Sequence, residues 1–427
     1  MKKPLGNTKP RSGLVAALDL GSSKVSCLIA RLGTGVAGGG QTTARVVGIG
    51  HQKSHGLKSG SVIDLDTAEA TIRATVEAAE AMVGENIHKV FVNLSCGKPK
   101  SQLTAHEVDI GGREIEETDL YRVLSADQVT AGVPADRDLI HSIPVGYSVD
   151  DNRGVRDPRG MFGNRLGANL HLVTAQSGPV KNLRTVVGRC HLEIESLVAT
   201  PFASALACLV DDERQLGTTC IDIGGGTTSL AIFCDGELVH TDVIPLGGGH
   251  MTNDIARGLS TPLESAERMK TLFGCVIPSP SDDAEMISVP LIGEDKEAAQ
   301  TQVPRSVLVG IVRPRAEEIM ELVRDRLAAS GFDKTIGQRV VLTGGASQLS
   351  GLAELAGDVL GRQVRLARPR GVEGLSEAVS GPGFATSVGL IRYAVENPLE
   401  VAGGDFQPIK ERSGAFGRFG QWLRENF

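Results

Sequence analysis

The chain has 427 residues, a formal net charge of −7, and 41% apolar against 22% charged residues. That composition describes a globular chain with a sizeable core and excludes a disordered or fibrous one. The acidic balance argues against a nucleic-acid partner, and no run approaches the roughly 18 apolar residues of a transmembrane helix.

In chain order, residues 14–20 read as a strand, Gly21-Ser22-Ser23-Lys24 as a turn and residues 25–32 as a second strand. Residues 33–40, five of them glycine, read as a loose loop before a strand at 44–50. A helix is expected over 66–83, opened by the capping-box-like pair Asp66 and Glu69, with Ile72, Val76, Ala79 and Val83 on one stripe. Two strands in 87–110, a helix at 114–126 and further strands in 139–175 form a block that interrupts the pattern. Helices return at 180–188 and 201–210, and a second hairpin begins at Thr218. Helices at 251–258 and 262–273 precede an irregular, Pro-containing stretch at 278–304. A helix at 315–327, a buried strand at 340–342 and helices at 352–360 and 384–394 complete the body. Residues 396–413 read as a linker. The seven cysteines are scattered among apolar residues without a CxxC or Cys/His cluster, as expected of small buried side chains in a reducing cytoplasm.

One internal repeat organises this series. Leu18-Asp19-Leu20-Gly21-Ser22-Ser23-Lys24-Val25-Ser26 matches Ile221-Asp222-Ile223-Gly224-Gly225-Gly226-Thr227-Thr228-Ser229, 203 residues later. Each copy is an apolar strand, Asp-x-Gly, a small-residue turn and a second strand. Glycines there let the backbone approach an anion and aim amides at it. Ser22, Ser23, Thr227 and Thr228 add hydroxyl donors and Lys24 a charge, while Asp19 and Asp222 suit the water shell of a Mg²⁺ ion. A single Asp-Gly hairpin usually only connects strands; two in register at the start of two half-chains carry more weight. A third glycine turn, Thr343-Gly344-Gly345-Ala346-Ser347, follows an apolar strand and precedes a helix, which permits close approach of a base or ribose.

Other motifs fail. Gly33-Thr34-Gly35-Val36-Ala37-Gly38 has the GxGxxG spacing but no helix after it, no GxxxxGK[ST] loop is present, and His51 and His55 lack further zinc ligands.

The last fourteen residues hold four of the fifteen aromatics, including the only Trp. At about 100° per residue, Phe416, Phe419, Trp422, Leu423 and Phe427 fall on one helical face, flanked by Arg418 and Arg424, with Asn426 a polar intruder. Fourteen residues span only about 21 Å, short of the roughly 30 Å hydrocarbon core. The segment is therefore expected to lie in the membrane plane.

These motifs resemble the phosphate and adenosine motifs of the ATPase superfamily of actin, the heat-shock chaperones and sugar kinases. Within it the chain is most similar to the FtsA family of bacterial cell-division actin homologues. The resemblance is carried by residues 18–24, Ile143-Pro144-Val145-Gly146-Tyr147, His171-Leu172-Val173-Thr174, 221–228, Val243-Ile244-Pro245, 266–270, 342–352 and the amphipathic end. It implies a two-lobed α/β actin-like ATPase fold in which a strand–helix–strand subdomain replaces the usual small subdomain of the first lobe. The implied division is 14–86 with 172–209 and 383–395 for the first lobe, and 87–171 for the insert. The second lobe is 210–250 with 306–382, its small subdomain 251–305, the linker 396–413 and the membrane helix 414–427.

Carried over by position, the resemblance implies ATP phosphates at Gly21 to Lys24 and Gly224 to Thr228. It implies adenosine at Glu267, Lys270, Gly344, Gly345, Ala346 and Ser347, and Mg²⁺ held through water by Asp19 and Asp222. It further implies polymerisation on the cytoplasmic face of the inner membrane and tethering of the tubulin-like FtsZ ring. The FtsZ C-terminal peptide would dock on the 251–305 subdomain near Arg305, and later division proteins on the insert. One departure bears on hydrolysis: where chaperone and MreB-like relatives carry Glu-Pro, this chain has Thr200-Pro201. ATP is therefore expected to act first as a conformational and polymerisation ligand, with slow turnover at most. A small-molecule kinase and a type IV pilus assembly adaptor are the rival readings. The first lacks a candidate base, and the second should lack the aromatic tail.

Overall fold

Each half of the chain builds the same sheet. The computed structural model describes residues 13–34, 42–125, 129, 132–293, 300–333, 336–396, 398 and 400. In the first half, Gly13–Leu20, Lys24–Thr34 and Thr42–Lys53 run as an antiparallel meander, and Gly13–Leu20 takes Lys89–Leu94 and then Glu193–Ala199 as parallel neighbours. In the second, Thr218–Ile223, Thr228–Cys234 and Glu237–Ile244 form the meander, and Arg339–Thr343 and Gln363–Leu366 are the parallel additions. The 203-residue repeat thus extends from a hairpin to a whole five-stranded sheet. Both hairpins keep one register, Asp19 opposite Ser26 and Asp222 opposite Ser229. Both close with the same turn, Gly21 N–H to the Lys24 carbonyl at 3.1 Å and Gly224 N–H to the Thr227 carbonyl at 2.9 Å.

The inserted block is a separate four-stranded sheet, ordered Lys100–Asp109, Arg165–Gln176, Arg137–Val149, Asn152–Val155, with the helix Glu117–Val123 against it. Ile115, Leu120, Leu166 and Leu170 are fully buried in its own core. Its expected start at residue 87 is too early, because Lys89–Leu94 pairs in the first-lobe sheet. Its end at 171 falls inside a strand that continues to Gln176. The strand–helix–strand insertion itself stands as expected.

Other differences have local causes. The helix Leu65–Val83 is capped by Asp64, whose carboxylate accepts from the Asp66 and Thr67 amides at 3.1 Å, so Asp66 lies inside the first turn. The insert helix is shorter than 114–126: Glu116 is its cap, and the buried Asp119 accepts from the Glu116 amide and from Arg113. The long helix is Arg305–Ala329, opening ten residues before the expected 315 with Pro314 inside it. Proline removes one backbone bond there, and burial of Leu308, Val309 and Val312 holds the turns before it. The stretch 278–304 contains a short hairpin, Met286–Pro290 against Gln300–Pro304, with proline at the end of each strand.

Two helices lie between the sheets. Thr200–Cys208 is buried along its whole length, and Ala385–Glu396 crosses it with Gly389 against the Ala203 backbone. The first also reaches the second lobe, where the Phe202 and Phe233 rings lie 6.3 Å apart. All seven cysteines are free, and burial pushes the Cys27 and Cys208 thiols up to about 12. No helix among the described residues is long and apolar enough to cross a membrane.

Candidate functional site

The two matching turns and the third glycine turn line one cleft of about 700 Å³ between the lobes. Gly21, Ser22, Ser23 and Lys24 form one wall, Gly224, Gly225, Gly226 and Thr227 the facing wall, and Gly344, Gly345 and Ala346 one end. Both lobes therefore contribute equivalent loops to a single cavity.

Glycine is required here by close approach. A Cβ on Gly226 would lie 2.8 Å from the Ser22 Cβ and 3.0 Å from the Ser59 Cα, both in the opposite lobe. Gly344, at φ +87°, backs onto Asp222 and Ile223, where a Cβ would meet the Ile223 amide and carbonyl at 2.6 Å. The helix Gly248–Gly258 steadies the second loop: its Gly248 and Gly249 amides donate to the Gly224 and Gly225 carbonyls at 2.9 and 2.7 Å. In a trans peptide the N–H lies opposite the C=O, so the Gly225 and Gly226 amides point away from that helix, as an anion cradle needs.

Asp19 and Asp222 sit at the cleft floor, 7% and 8% exposed. Ser387 donates to Asp19 at 3.1 Å, while Ser204 and Thr386 donate to Asp222. Burial pushes the Asp19 carboxyl up to about 6, against the pull of Lys24 and the Ser387 hydrogen bond and with the Asp222 charge adding to the rise. Burial also raises Asp222. Two desolvated carboxylates side by side suit a hydrated cation that would neutralise them. No group of three metal-ligating side chains exists among the described residues, so an ion here would keep most of its water. Lys24 lies with Nζ 2.9 Å from the Phe384 ring centroid, and its own burial pushes it down to about 8.

At the other end, Lys270 donates to Glu267 at 2.7 Å, to Thr252 at 2.9 Å and to the Gly248 carbonyl at 3.1 Å, and both Glu267 and Lys270 line the cleft. Two expected ligands do not face it. Thr228 is fully buried and donates to the Leu246 carbonyl at 2.9 Å, and Ser347 donates to the Gly344 carbonyl at 2.8 Å, closing its own turn. Each sits between residues that do line the cavity, Thr227 and Ser229 in one loop and Ala346 and Gln348 in the other.

Several lining groups were not read from the sequence. Gly248 and Gly249 open the helix Gly248–Gly258, and the glycine run 247–249 that marks its start could have drawn attention to them. Asn93 and Ser95 could not, because only folding brings them to Thr200, 107 and 105 residues further on: the Asn93 amide donates to Thr200 at 3.2 Å, and the Ser95 and Thr200 hydroxyls are 2.7 Å apart. Thr200 thus stands in the cleft within a neutral hydroxyl–amide set.

Arg305 borders the same cleft, but its guanidinium is engaged by the Phe273 carbonyl at 2.9 Å, Asp282 at 2.8 Å and Glu285 at 3.4 Å. Its charge is neutralised within the small subdomain. Phe416, Phe419, Trp422, Leu423, Phe427, Arg418 and Arg424 lie outside the described residues, as do residues 401–413 of the expected linker.

Twin sheets with matching Asp-x-Gly hairpins across a cleft, and an inserted sheet in the first lobe, define a protein of the actin-like fold. Solved structures agree. The PilM–PilN type IV pilus biogenesis complex matches at a TM-score of 0.61 and 19% identity, covering 89% of this chain and 98% of that one. MreB5 of Spiroplasma citri bound to ADP matches at 0.52 and 14%, covering 90% and 98%. Residues 219–389 match the family model "Cell division protein FtsA", and residues 97–174 match "SHS2 domain inserted in FTSA". Proteins named Cell division protein FtsA are 47% identical in Agrobacterium fabrum, over 100% of this chain and 97% of the relative, and 32% identical in Escherichia coli K12, over 97% and 98%. The chain belongs to the FtsA family of cell-division proteins.

Proposed function

We propose that this protein binds ATP with Mg²⁺ in the interlobe cleft, polymerises at the cytoplasmic face of the cell membrane, and links the FtsZ ring to that membrane. The observation that carries the nucleotide part is the facing pair of glycine turns, each with a buried aspartate behind it, in one cavity. Ser22, Ser23, Lys24 and Thr227 would receive phosphate oxygens, and the Glu267–Lys270 pair with the Gly344–Ala346 turn would receive the nucleoside. Asp19 and Asp222 would hold the hydrated ion, which supplies charge neutralisation for the phosphates. Thr200, Asn93 and Ser95 can hold water but none can accept a proton at neutral pH, so turnover is slow and ATP serves first as a conformational ligand.

The tail supports the membrane part through its aromatic face and flanking arginines. A single short amphipathic helix binds weakly, and several along one polymer bind with avidity. The FtsZ C-terminal peptide docks on the small subdomain, where Arg305 supports the surface by holding Asp282 and Glu285. The inserted sheet serves protomer and later-partner contacts. The family membership and the tail favour this reading over a kinase or a pilus adaptor.

Co-sedimentation with anionic liposomes, with and without Mg-ATP and an FtsZ C-terminal peptide, tests it. The full chain is expected to pellet and to carry the peptide down, and deletion of 414–427 to leave both in solution. Pelleting that survives the deletion would sink the anchor. Peptide affinity unchanged by Arg305→Glu in a folded variant would remove Arg305 from the docking surface.

A further inference from the structure

We propose that Glu400 is a latch that fixes where the C-terminal tail leaves the body. Its carboxylate is 8% exposed, although it lies beyond the helix Ala385–Glu396 in a stretch that reads as linker. Both its oxygens accept from His141 Nδ1, at 2.9 and 3.0 Å, and Oε1 also accepts from the Tyr393 hydroxyl at 2.6 Å.

The surroundings are built to hold this contact. His141 is fully buried on the inserted-sheet strand Arg137–Val149, and its Nε2 accepts from the Ala199 amide at 2.8 Å. That bond leaves the ring hydrogen on Nδ1, where it faces Glu400. The imidazole is packed by Phe202 at 5.4 Å and Tyr393 at 6.0 Å between centroids, and Phe91 and Phe233 extend the cluster. A chain with only 15 aromatics gathers four of them here. Phe91, Phe202 and Tyr393 belong to the first lobe, His141 to the insert and Phe233 to the second lobe. A carboxylate in so enclosed a position requires its donors, and the two it has come from different subdomains.

The position gives the latch its meaning. Tyr393 lies on the helix whose first turn carries Thr386 and Ser387, the donors to Asp222 and Asp19. One short rigid element therefore runs from the cleft floor to the root of the tail. When Glu400 is held, the tail is counted from residue 401; when it lets go, residues 397–400 are added, about 14 Å of contour. This inference stands apart from the membrane reading, because it concerns the root and not the amphipathic end.

Limited chymotrypsin digestion of the full chain, following cleavage of the Leu399–Glu400 bond against cleavage after Phe406, reads the latch directly. Tyr393→Phe removes the hydroxyl and keeps the ring, and Glu400→Gln weakens the acceptor without touching the body. The Leu399 cut is expected to accelerate at least about fivefold in both variants, by the usual link between local opening and cleavage, while the Phe406 cut and the melting temperature stay as in the parent. An unchanged Leu399 rate in Tyr393→Phe overturns the proposal. So does an increase confined to Glu400→Gln, since that change sits in the scissile bond itself.

Discussion

The floor of the cleft keeps two carboxylates where desolvation opposes their charge, and the cost has a definite pH window. Asp19 titrates near 6 in the folded chain against 3.8 as its ordinary value. A raised carboxyl favours the folded state below its unfolded value and loses that advantage as pH rises through the folded one. The penalty is thus absent in acid, grows between 3.8 and about 6 and is full above that. Two units correspond to about 3 kcal/mol, a net figure in which the attraction of Lys24 is already counted, and the amide forfeits part of it by accepting from Ser387 less strongly than a carboxylate. Asp19→Asn is therefore expected to stabilise the ligand-free protein by about 1–2 kcal/mol near pH 7.5, with roughly half of that remaining near pH 5. Mg-ATP should protect the variant from thermal unfolding much less than the parent. Melting curves at the two pH values, with and without nucleotide, check both halves. Thr200 supplies the complementary case. It stands in the cleft beside Asn93 and Ser95 with no carboxylate among them. Placing a base there with Thr200→Glu is expected to raise ATP turnover about tenfold, below the roughly 10²–10⁴-fold of a fully positioned general base because the new side chain has no neighbours arranged to hold it, as measured by phosphate release. A variant that binds ATP but turns it over no faster would show that the missing acid is not what limits hydrolysis.

Elements were legible where their signals were local. The paired Asp-x-Gly turns follow from composition over a few residues, and the helix Leu352–Leu360 lies within its expected bounds. The long helix Arg305–Ala329 was only half legible because Pro314 is an ordinary stop signal, overridden by apolar contacts that a local pattern does not contain. The hairpin Met286–Pro290/Gln300–Pro304 escaped for the same reason: its prolines read as loop, and pairing of the two strands is a tertiary fact. The crossing of Thr200–Cys208 and Ala385–Glu396 is the element-scale feature on which most depends, since these helices carry the donors to both aspartates. Gly389 permits it, with an added Cβ falling into the Ala203 backbone. Gly389→Ala must part the helices and is expected to cost more than about 3 kcal/mol, the scale of an overpacked core. Gly188, in the helix Ser177–Arg189, has open space around its Cβ position. Gly188→Ala should instead stabilise by up to about 1 kcal/mol through helix propensity. Denaturant melts of the two variants give opposite signs if the crossing is as close as it stands here.

For the whole molecule, the repeat at 203 residues foretold two lobes, and the two five-stranded sheets confirm it at larger scale. The cleft between them was legible only as far as glycine turns reveal it. Thr200, Asn93 and Ser95, and the engagement of Arg305 by Asp282, depend on which distant segments meet, and no spacing encodes that. The same limit applies to Glu400, whose partners lie 259 and 7 residues away. Closure of the lobes is nevertheless testable at one atom. Gly226 of the second lobe faces Ser22 and Ser59 of the first, and a methyl group there would stand 2.8 Å from a side-chain carbon and 3.0 Å from a backbone one. The obstruction lies between lobes and not within either core. Gly226→Ala should therefore hold the cleft ajar while each lobe stays folded. The melting temperature without nucleotide is expected to move by less than about 2 °C, a surface-scale change. ATP affinity should fall at least about tenfold, which is roughly 1.4 kcal/mol of lost closure. Solution scattering should show a larger radius of gyration that Mg-ATP no longer reduces. A variant that unfolds early would mean the loops are braced within their own lobe, and one that binds ATP normally would mean the lobes close by a different approach from the one in which Ser22 meets Gly226.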